Sequence, residues 1–193
     1  MFKKVVVMSS LFVLSPVQAK ENIIDWGVYG KIGSYSVEDP EGSSGSEVVF
    51  LPGAKVVFPI SRRGRQFVAG VELIDFSLDA SESDVSQDVK GYRIWGGYEH
   101  QFSISRNFKI WTGAGLALDS VSYENRYTID TDGYLDEEFD DRDESNAGIT
   151  LYALTMFDMG RSSVWHPGIG VYIDSPFGDG VKSLGGTVQI IFD

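Results

Sequence analysis

Residues 108–119 read FKIWTGAGLALD, and this stretch alternates between two kinds of side chain. One set is apolar and comprises Phe108, Ile110, Ala114, Leu116 and Leu118. The other set is mostly small or polar and comprises Trp111, Gly113, Gly115, Ala117 and Asp119. Because successive side chains of a β-strand point to opposite faces, this period of two predicts a strand with one apolar face.

Segments with the same period recur along the chain, separated by clusters of Gly, Ser, Asp and Asn. We predict eight strands, at residues 23–37, 48–60, 66–78, 89–103, 108–123, 147–159, 164–174 and 184–192. Single-chain bacterial membrane barrels have an even number of strands. A tilted strand crosses a bilayer with about nine to eleven residues, and most of these segments are at least that long.

A soluble β-sandwich would show the same alternation, so the pattern alone does not choose between the two architectures. Aromatic residues near the predicted strand ends favour a membrane barrel, where they form girdles at the two interfaces. These residues are Trp26, Phe58, Phe67, Phe102, Phe108, Tyr123, Phe157, Trp165 and Phe192. The sequence therefore predicts an all-β protein, an eight-stranded antiparallel transmembrane β-barrel of the bacterial outer membrane.

The first nineteen residues have the features of a secretory signal peptide, which also favours this placement. Lys3 and Lys4 precede an apolar run at residues 5–14, and small residues lead to Ala19. That run is too short for a membrane-spanning helix. We predict a signal peptide at residues 1–19 and a barrel at residues 20–193. The sequence contains no cysteine, so a disulfide-built fold and a lipoprotein anchor are excluded.

The predicted connections alternate in length and in charge. Long connections at residues 38–47, 79–88, 124–146 and 175–183 alternate with short turns at residues 61–65, 104–107 and 160–163. The long connections and their edges hold 20 of the 28 acidic residues, whereas the short turns hold only basic charges. Outer-membrane barrels have long outer loops and short periplasmic turns. We therefore predict extracellular acidic loops, with both chain termini in the periplasm.

Composition excludes other classes of protein. With 16 basic and 28 acidic residues, the formal charge is −12, which argues against nucleic acid as a partner. No apolar run is long enough for a helical membrane span.

Six charged residues lie near the middle of predicted strands, on the face opposite the apolar one. They are Lys31, Lys55, Glu72, Arg93, Glu99 and Asp119. An eight-stranded barrel is narrow enough for side chains to fill its interior. We therefore expect these residues to pair across the lumen and to prevent open diffusion.

In layout, the chain resembles the small eight-stranded outer-membrane barrels of the OmpX, Ail and OmpA-barrel type, including opacity and accessory-colonisation proteins. Its final segment, residues 185–192, resembles the signal read by the barrel-assembly machinery. The resemblance implies a non-enzymatic surface barrel that acts in adhesion, colonisation or host interaction through its acidic loops. It also implies outer-membrane lipid and lipopolysaccharide as surroundings and a host surface or matrix component as a partner, with no cofactor.

The longest predicted loop contains acidic residues that suggest a cation site. Asp130, Asp132 and Asp136 supply the oxygen ligands that Ca²⁺ prefers, but the later ligand spacing is wrong for a calcium loop. We expect a solvated acidic loop with weak divalent-cation association at most, and we assign no metal site.

Residues 143–148, DESNAG, are similar to a motif of outer-membrane lipid A deacylases, which suggests a hydrolase as an alternative function. Asp143 stands where that motif has its histidine, so Ser145 lacks an adjacent base. The two histidines, His100 and His166, are expected to lie out of its reach. We predict no catalytic residue. A structural envelope barrel, a lipid A-modifying enzyme and a narrow pore remain alternatives.

Overall fold

The computed structural model describes residues 24–37, 45–61, 64–80, 85–104, 109–157 and 164–192. The predicted signal peptide and most of the predicted loop at residues 38–47 lie outside these ranges. Nine strands lie within them: β1 (Asp25–Val37), β2 (Ser46–Ser61), β3 (Arg65–Leu78), β4 (Ser86–Ser103), β5 (Lys109–Ile129), β6 (Leu135–Phe139), β7 (Arg142–Met156), β8 (Trp165–Pro176) and β9 (Val181–Phe192). In this described part, no helix is long and apolar enough to cross a membrane.

Eight of these strands form a closed antiparallel barrel. The order around the sheet is β4-β3-β2-β1-β9-β8-β7-β5, and β4 also pairs with β5, which closes the ring. The first and last strands, β1 and β9, pair with each other along their whole length. Closure gives every barrel strand two neighbours and removes the sheet edges. The predicted eight-stranded antiparallel barrel is therefore confirmed.

The ninth strand, β6, is short and pairs only with the far end of β5. It lies inside the segment predicted to be the loop at residues 124–146. Within this segment β5 continues to Ile129 and β7 already begins at Arg142. The high density of acidic residues indicated a loop, but ladder hydrogen bonds join backbone groups, and exposed side chains do not prevent them. Most of the expected loop is therefore a hairpin.

The outward face of the barrel carries a continuous apolar band. On β5, for example, Leu116 and Leu118 are more than 60% exposed, and Val171 on β8 is 60% exposed. On β8 and β9 the band is about nine residues tall, which is roughly 20 Å at the usual strand tilt. This height and composition match the lipid-facing band of outer-membrane barrels.

Large aromatic side chains surround the end of the barrel where the short turns lie. The exposed ones are Trp26, Phe58, Phe67, Phe102, Phe157 and Trp165. Phe192 stacks on Trp26 with ring centroids 4.5 Å apart. The prediction for Tyr123 is wrong, because this side chain is fully buried in the lumen. Phe108 lies outside the described residues.

The two faces of the barrel exchange polarity along the strands, and β3 shows the change most clearly. Its outward side chains are first Phe67, Ala69, Val71 and Leu73, and then Asp75 and Ser77. Its inward side chains are first Val68, Gly70 and Glu72, and then Ile74, Phe76 and Leu78. The register with β4 continues through this point without a bulge. The exchange is therefore caused by the order of apolar and polar residues in the sequence, and the backbone does not rotate. The lumen is thus polar beside the apolar band and apolar beyond it.

Two tyrosines in the lumen occupy space that only glycine leaves open. A Cβ atom on Gly53 would lie 2.3 Å from the ring of Tyr29, and one on Gly113 would lie 2.1 Å from the ring of Tyr152. Both contacts are far below normal van der Waals separation, so the rings pack directly against the backbone of a neighbouring strand.

We predict that Gly113→Val destabilises the barrel, because Tyr152 would have to leave its packed position. Overpacking of this kind costs about 1–3 kcal/mol. Gly96→Ala is the matched control, since a Cβ there has its nearest neighbour at 3.7 Å. The measurement is the urea midpoint of unfolding, followed by heat-modifiable gel migration. Equal midpoints for the two variants would contradict the assigned packing.

Candidate functional site

Five buried charged side chains meet inside the lumen and form what we call the outer charge cluster. They are Lys31 on β1, Glu72 on β3, Arg93 on β4, Asp119 on β5 and Asp174 on β8. Each is at most 7% exposed. The cluster lies close to the level at which the outward face changes from apolar to polar, since Leu73 and Asp75 flank this change on β3.

Direct ion pairs hold the outer charge cluster together. The guanidinium of Arg93 donates from Nε and Nη2 to the two oxygens of Asp119, at 2.7 and 2.8 Å, and from Nη1 to Asp174 at 2.6 Å. The ammonium of Lys31 lies 2.8 Å from Glu72 and 2.7 Å from Asp174. Charge-assisted and bidentate bonds of this kind are the strong ones in proteins.

A separate ion pair lies nearer the short-turn end of the lumen. Lys55 Nζ donates to Glu99 Oε1 at 3.1 Å, and Tyr152 donates to the same oxygen at 2.6 Å. The amide of Gln66 donates to the second oxygen of Glu99. Of the six charged residues predicted from the sequence, four therefore belong to the outer charge cluster and two form this pair.

A layer of aromatic side chains separates the two groups of charges. Trp95 packs edge-on against Tyr29 and Tyr152, with ring centroids 6.1 and 5.9 Å apart. Its indole N–H donates to the Tyr29 hydroxyl at 2.7 Å. A cavity of about 30 Å³ remains beside this layer, which is room for one or two water molecules.

Sequence reasoning missed Asp174, although it contacts both cations of the cluster. Its Oδ2 accepts hydrogen bonds from Lys31, Arg93 and Ser183. The sequence pattern places this residue at the edge of a loop, but β8 continues to Pro176. The alternation along β8 was a usable signal, since Val171 and Ile173 point outward and Asp174 must then point inward.

The end of the lumen opposite the short turns is closed by apolar side chains. The closing residues are Tyr35, Val37, Leu51, Ile74, Phe76, Leu78, Val89, Val121, Tyr123, Tyr172 and Val181. The hydroxyl of Tyr172 donates to that of Tyr35 at 2.8 Å across this plug. At the opposite end a cavity of about 290 Å³ is lined by Lys55, Glu99, Trp111 and His166, among others. A solute entering from this end would have to displace both the charge cluster and the plug.

The segment 124–146 forms what we call the acidic hairpin. All of β6 except Phe139 is exposed on both faces, so the tip does not pack on the barrel. Arg126 donates to the carbonyl of Asp140 at 2.7 Å, and its guanidinium lies 5.6 Å from the ring of Phe139. These contacts order the base of the tip.

The three candidate metal ligands do not converge. Asp130 Oδ1 accepts the backbone N–H groups of Asp132 and Tyr134 at 2.9 and 2.8 Å, which closes the turn at the tip. Asp136 lies exposed on β6. Among the described residues, no group of three or more acidic or histidine side chains is arranged to hold a metal ion.

The residues considered for hydrolysis are also far apart. Ser145 pairs with Ser120 of β5 and is exposed, and Asp143 is exposed on the same face. His166 lines the cavity at the short-turn end, and His100 packs against Phe102 with centroids 4.6 Å apart. The structure therefore brings neither histidine near Ser145, in agreement with the sequence-based expectation about their positions.

Outside the apolar band, one carboxylate has a shifted pKa. Hydrogen bonds from Ser77 and from the amide of Asn125 lower the pKa of Asp88 below its ordinary value. A carboxyl group with a lowered pKa stabilises the folded state above its unfolded pKa and loses that contribution as the pH falls. Asp88 is partly exposed to solvent, so this contribution is small.

Comparison with known proteins identifies the fold. No family model and no curated protein sequence matches the chain. Among solved structures, Neisserial surface protein A (NspA) superposes with a TM-score of 0.59 at 14% identity, covering 88% of this chain and 96% of NspA. The chain has the fold of the small outer-membrane β-barrels. Ail, the attachment invasion locus protein of Yersinia pestis, gives a TM-score of 0.51 at 9% identity, covering 87% of this chain and 97% of Ail.

We predict that Arg93→Met destabilises this outer-membrane-type barrel by about 3–5 kcal/mol, because it leaves buried carboxylates without their main partner. Adding Asp119→Asn to this variant should restore part of the lost stability. The second change removes the carboxylate that Arg93 binds with two hydrogen bonds and that would be left without this partner. Lys90→Met is the control, because the ion pair of Lys90 with Glu124 is solvent-exposed and should contribute little. The stability of all three variants is measured from the urea midpoint of unfolding. A loss of stability for Arg93→Met that is no larger than the loss for Lys90→Met would contradict the stabilising role of the cluster.

Proposed function

We propose that this protein is a non-enzymatic surface barrel of the bacterial outer membrane that contacts cationic partners through its acidic hairpin. The observation that supports this proposal best is the projection of β5, β6 and β7 beyond the apolar band. The outward face of β5 is apolar up to Leu118, but the strand continues to Ile129. These eleven further residues extend roughly 25–30 Å at the usual tilt.

The barrel would be oriented with its short turns and both termini in the periplasm and its long connections outside. The lengths of the connections support this orientation, because outer-membrane barrels have short periplasmic turns and long outer loops. The aromatic side chains at the short-turn end mark one of the two membrane interfaces. In this orientation, the lumen plug and the acidic hairpin lie above the outer leaflet, near lipopolysaccharide.

The hairpin's charge determines the kind of partner it can attract. Its exposed acidic side chains are Asp132, Asp136, Glu137, Glu138, Asp140, Asp141 and Asp143. A surface that carries charges of one sign associates faster with partners of the opposite charge and repels partners of the same charge. Ail has been crystallised with sucrose octasulfate, a heparin analogue, which is polyanionic. The hairpin of the present protein would instead favour basic segments of host or matrix proteins.

Two observations bear on the alternatives. The apolar plug and the ion pairs that fill the lumen favour a structural envelope barrel over a narrow pore as the second candidate. The distance between Ser145 and the cavity containing His166 gives no support to a lipid A-modifying enzyme. A structural barrel would tolerate neutralisation of the hairpin without loss of function, so one experiment separates the two remaining candidates.

We predict that Asp136→Asn, Glu137→Gln and Glu138→Gln together reduce the binding of barrel-expressing cells to an immobilised lysine-rich peptide several-fold. The reason is that these three charges lie at the exposed tip, where an approaching partner meets them first. The measurement is cell retention at physiological and at high salt, because screening should weaken only the charge-dependent part.

The matched control neutralises three acidic residues near the base, Asp75→Asn, Asp88→Asn and Glu124→Gln, for the same change in net charge. This control should retain most of the binding. If both triple variants bind like the wild-type barrel, the hairpin is not a contact site and the structural candidate is favoured. If immobilised heparin retains the cells better than the lysine-rich peptide, the proposed sign of the partner is wrong.

A further inference from the structure

The outer charge cluster contains unequal numbers of positive and negative groups. Its two cations, Lys31 and Arg93, face three carboxylates, those of Glu72, Asp119 and Asp174. All five side chains are at most 7% exposed, so solvent does little to screen them. If every group were ionised, the cluster would hold one uncompensated negative charge, which is far more costly in a protein interior than in water.

Cations elsewhere in the described lumen do not compensate this charge. Lys55 is paired with Glu99. Arg142, which lies over the ring of the buried Tyr123, is paired with Glu144 at 3.0 Å. Arg126 is seven residues along β5 from Asp119, roughly 23 Å of strand, and it donates to the carbonyl of Asp140. Lys182 points to the outward face, because its neighbours on β9 point into the lumen. Removing a proton from a cation would increase the imbalance, so among the groups of the cluster itself only a carboxylate can neutralise the charge, by taking up a proton.

The three carboxylates differ in the donors that stabilise their ionised form. Asp119 accepts two hydrogen bonds from Arg93, and Asp174 Oδ2 accepts three from different donors. Glu72 Oε2 lies 2.8 Å from Lys31 and 3.5 Å from the Tyr29 hydroxyl. Glu72 Oε1 has no hydrogen-bond partner, and its contact with Arg93 Nη1 is 3.5 Å long. Asp174 Oδ1 also lacks a partner, but the other oxygen of Asp174 accepts bonds from both cations of the cluster, whereas Glu72 has only one cation, Lys31, at hydrogen-bond distance. Glu72 is therefore the least stabilised as an anion.

We propose that the folded barrel binds a proton in the outer charge cluster and holds it on Glu72. The groups that face Glu72 come from three strands: Tyr29, Lys31 and Tyr35 on β1, Arg93 on β4, and Tyr172 and Asp174 on β8. Asp119 on β5 is bound to Arg93. With one carboxyl group neutral, the remaining two cations and two carboxylates balance.

The proton makes the stability of the barrel depend on pH in a definite direction. Above about pH 4.3, glutamate in the unfolded chain loses its proton, whereas the folded barrel keeps one on Glu72. The native state then binds more protons than the unfolded state, so stability falls as the pH rises. While this difference lasts, the ratio of folded to unfolded protein decreases by about tenfold per pH unit. This direction is opposite to that of Asp88.

The first test is infrared spectroscopy of the barrel in lipid vesicles at pH 7. A protonated carboxyl group has a carbonyl band that is well separated from those of carboxylates. We expect this band in the wild-type protein and in Glu99→Gln, whose carboxylate belongs to the balanced pair, and we expect Glu72→Gln to remove it. A wild-type spectrum without the band overturns the proposal, and so does a band that survives in Glu72→Gln.

The second test compares unfolding in urea between pH 5 and pH 8. Glutamine mimics the neutral acid, so Glu72→Gln should match the wild-type stability at pH 5 and lose this pH-dependent decline, whereas Glu99→Gln retains it. Asp174→Asn should be less stable even at pH 5, because it removes the negative charge that two cations contact and replaces one acceptor oxygen by an NH2 donor. A Glu72→Gln barrel that fails to fold at pH 5, or an Asp174→Asn barrel as stable as wild type, overturns the assignment to Glu72. A wild-type stability that rises with sodium concentration and not with acidity would show a bound cation instead.

Discussion

The guanidinium of Arg93 joins strands β4 and β8, which no backbone ladder joins directly. It binds Asp119 on the adjacent strand β5 and Asp174 on β8, which lies on the other side of the lumen. Antiparallel pairing connects each strand only to its two neighbours, so contact across the interior must come from side chains. In a barrel this narrow, the cross-lumen ion pairs fix the shape of the cylinder, and the aromatic layer and apolar plug pack around them.

The same strands satisfy two different surroundings because their polarity changes at one level. Beside the apolar band, the exterior is apolar and the lumen holds the charges. Beyond the band, Asp75 and Ser77 point outward and Phe76 and Leu78 point inward, as in a water-soluble barrel. Each half of the strand obeys the rule that apolar side chains avoid water. The outer half therefore keeps β5 and β7 ordered past the band and supplies a rigid base for the acidic hairpin.

The sequence is sufficient for the number of barrel strands and for the inward position of the six charges, because both follow from a period of two. Closure into a barrel does not follow from that period, and its prediction depends on the aromatic residues at the strand ends and on the alternating connection lengths. The sequence is insufficient for the division of those charges into a cluster and a pair, which depends on strand register. Asp174 was missed because the end of β8 was placed too early, and β6 was missed because acidic residues were taken to exclude pairing. Tyr123 was misplaced because the change of polarity along β5 was not recognised.

In this molecule, the effect of charged side chains on stability depends more on where they lie than on how many there are. The formal charge of −12 suggests strong self-repulsion, but the acidic side chains of the described hairpin are mostly exposed, so water and salt screen them. The seven exposed acidic side chains of the hairpin therefore cost the fold little and remain available to a partner. A single unbalanced carboxylate in the outer charge cluster has no such screening, and the surrounding strands must neutralise it. For this reason the lumen contains almost as many cations as carboxylates, whereas the hairpin contains many carboxylates and very few cations.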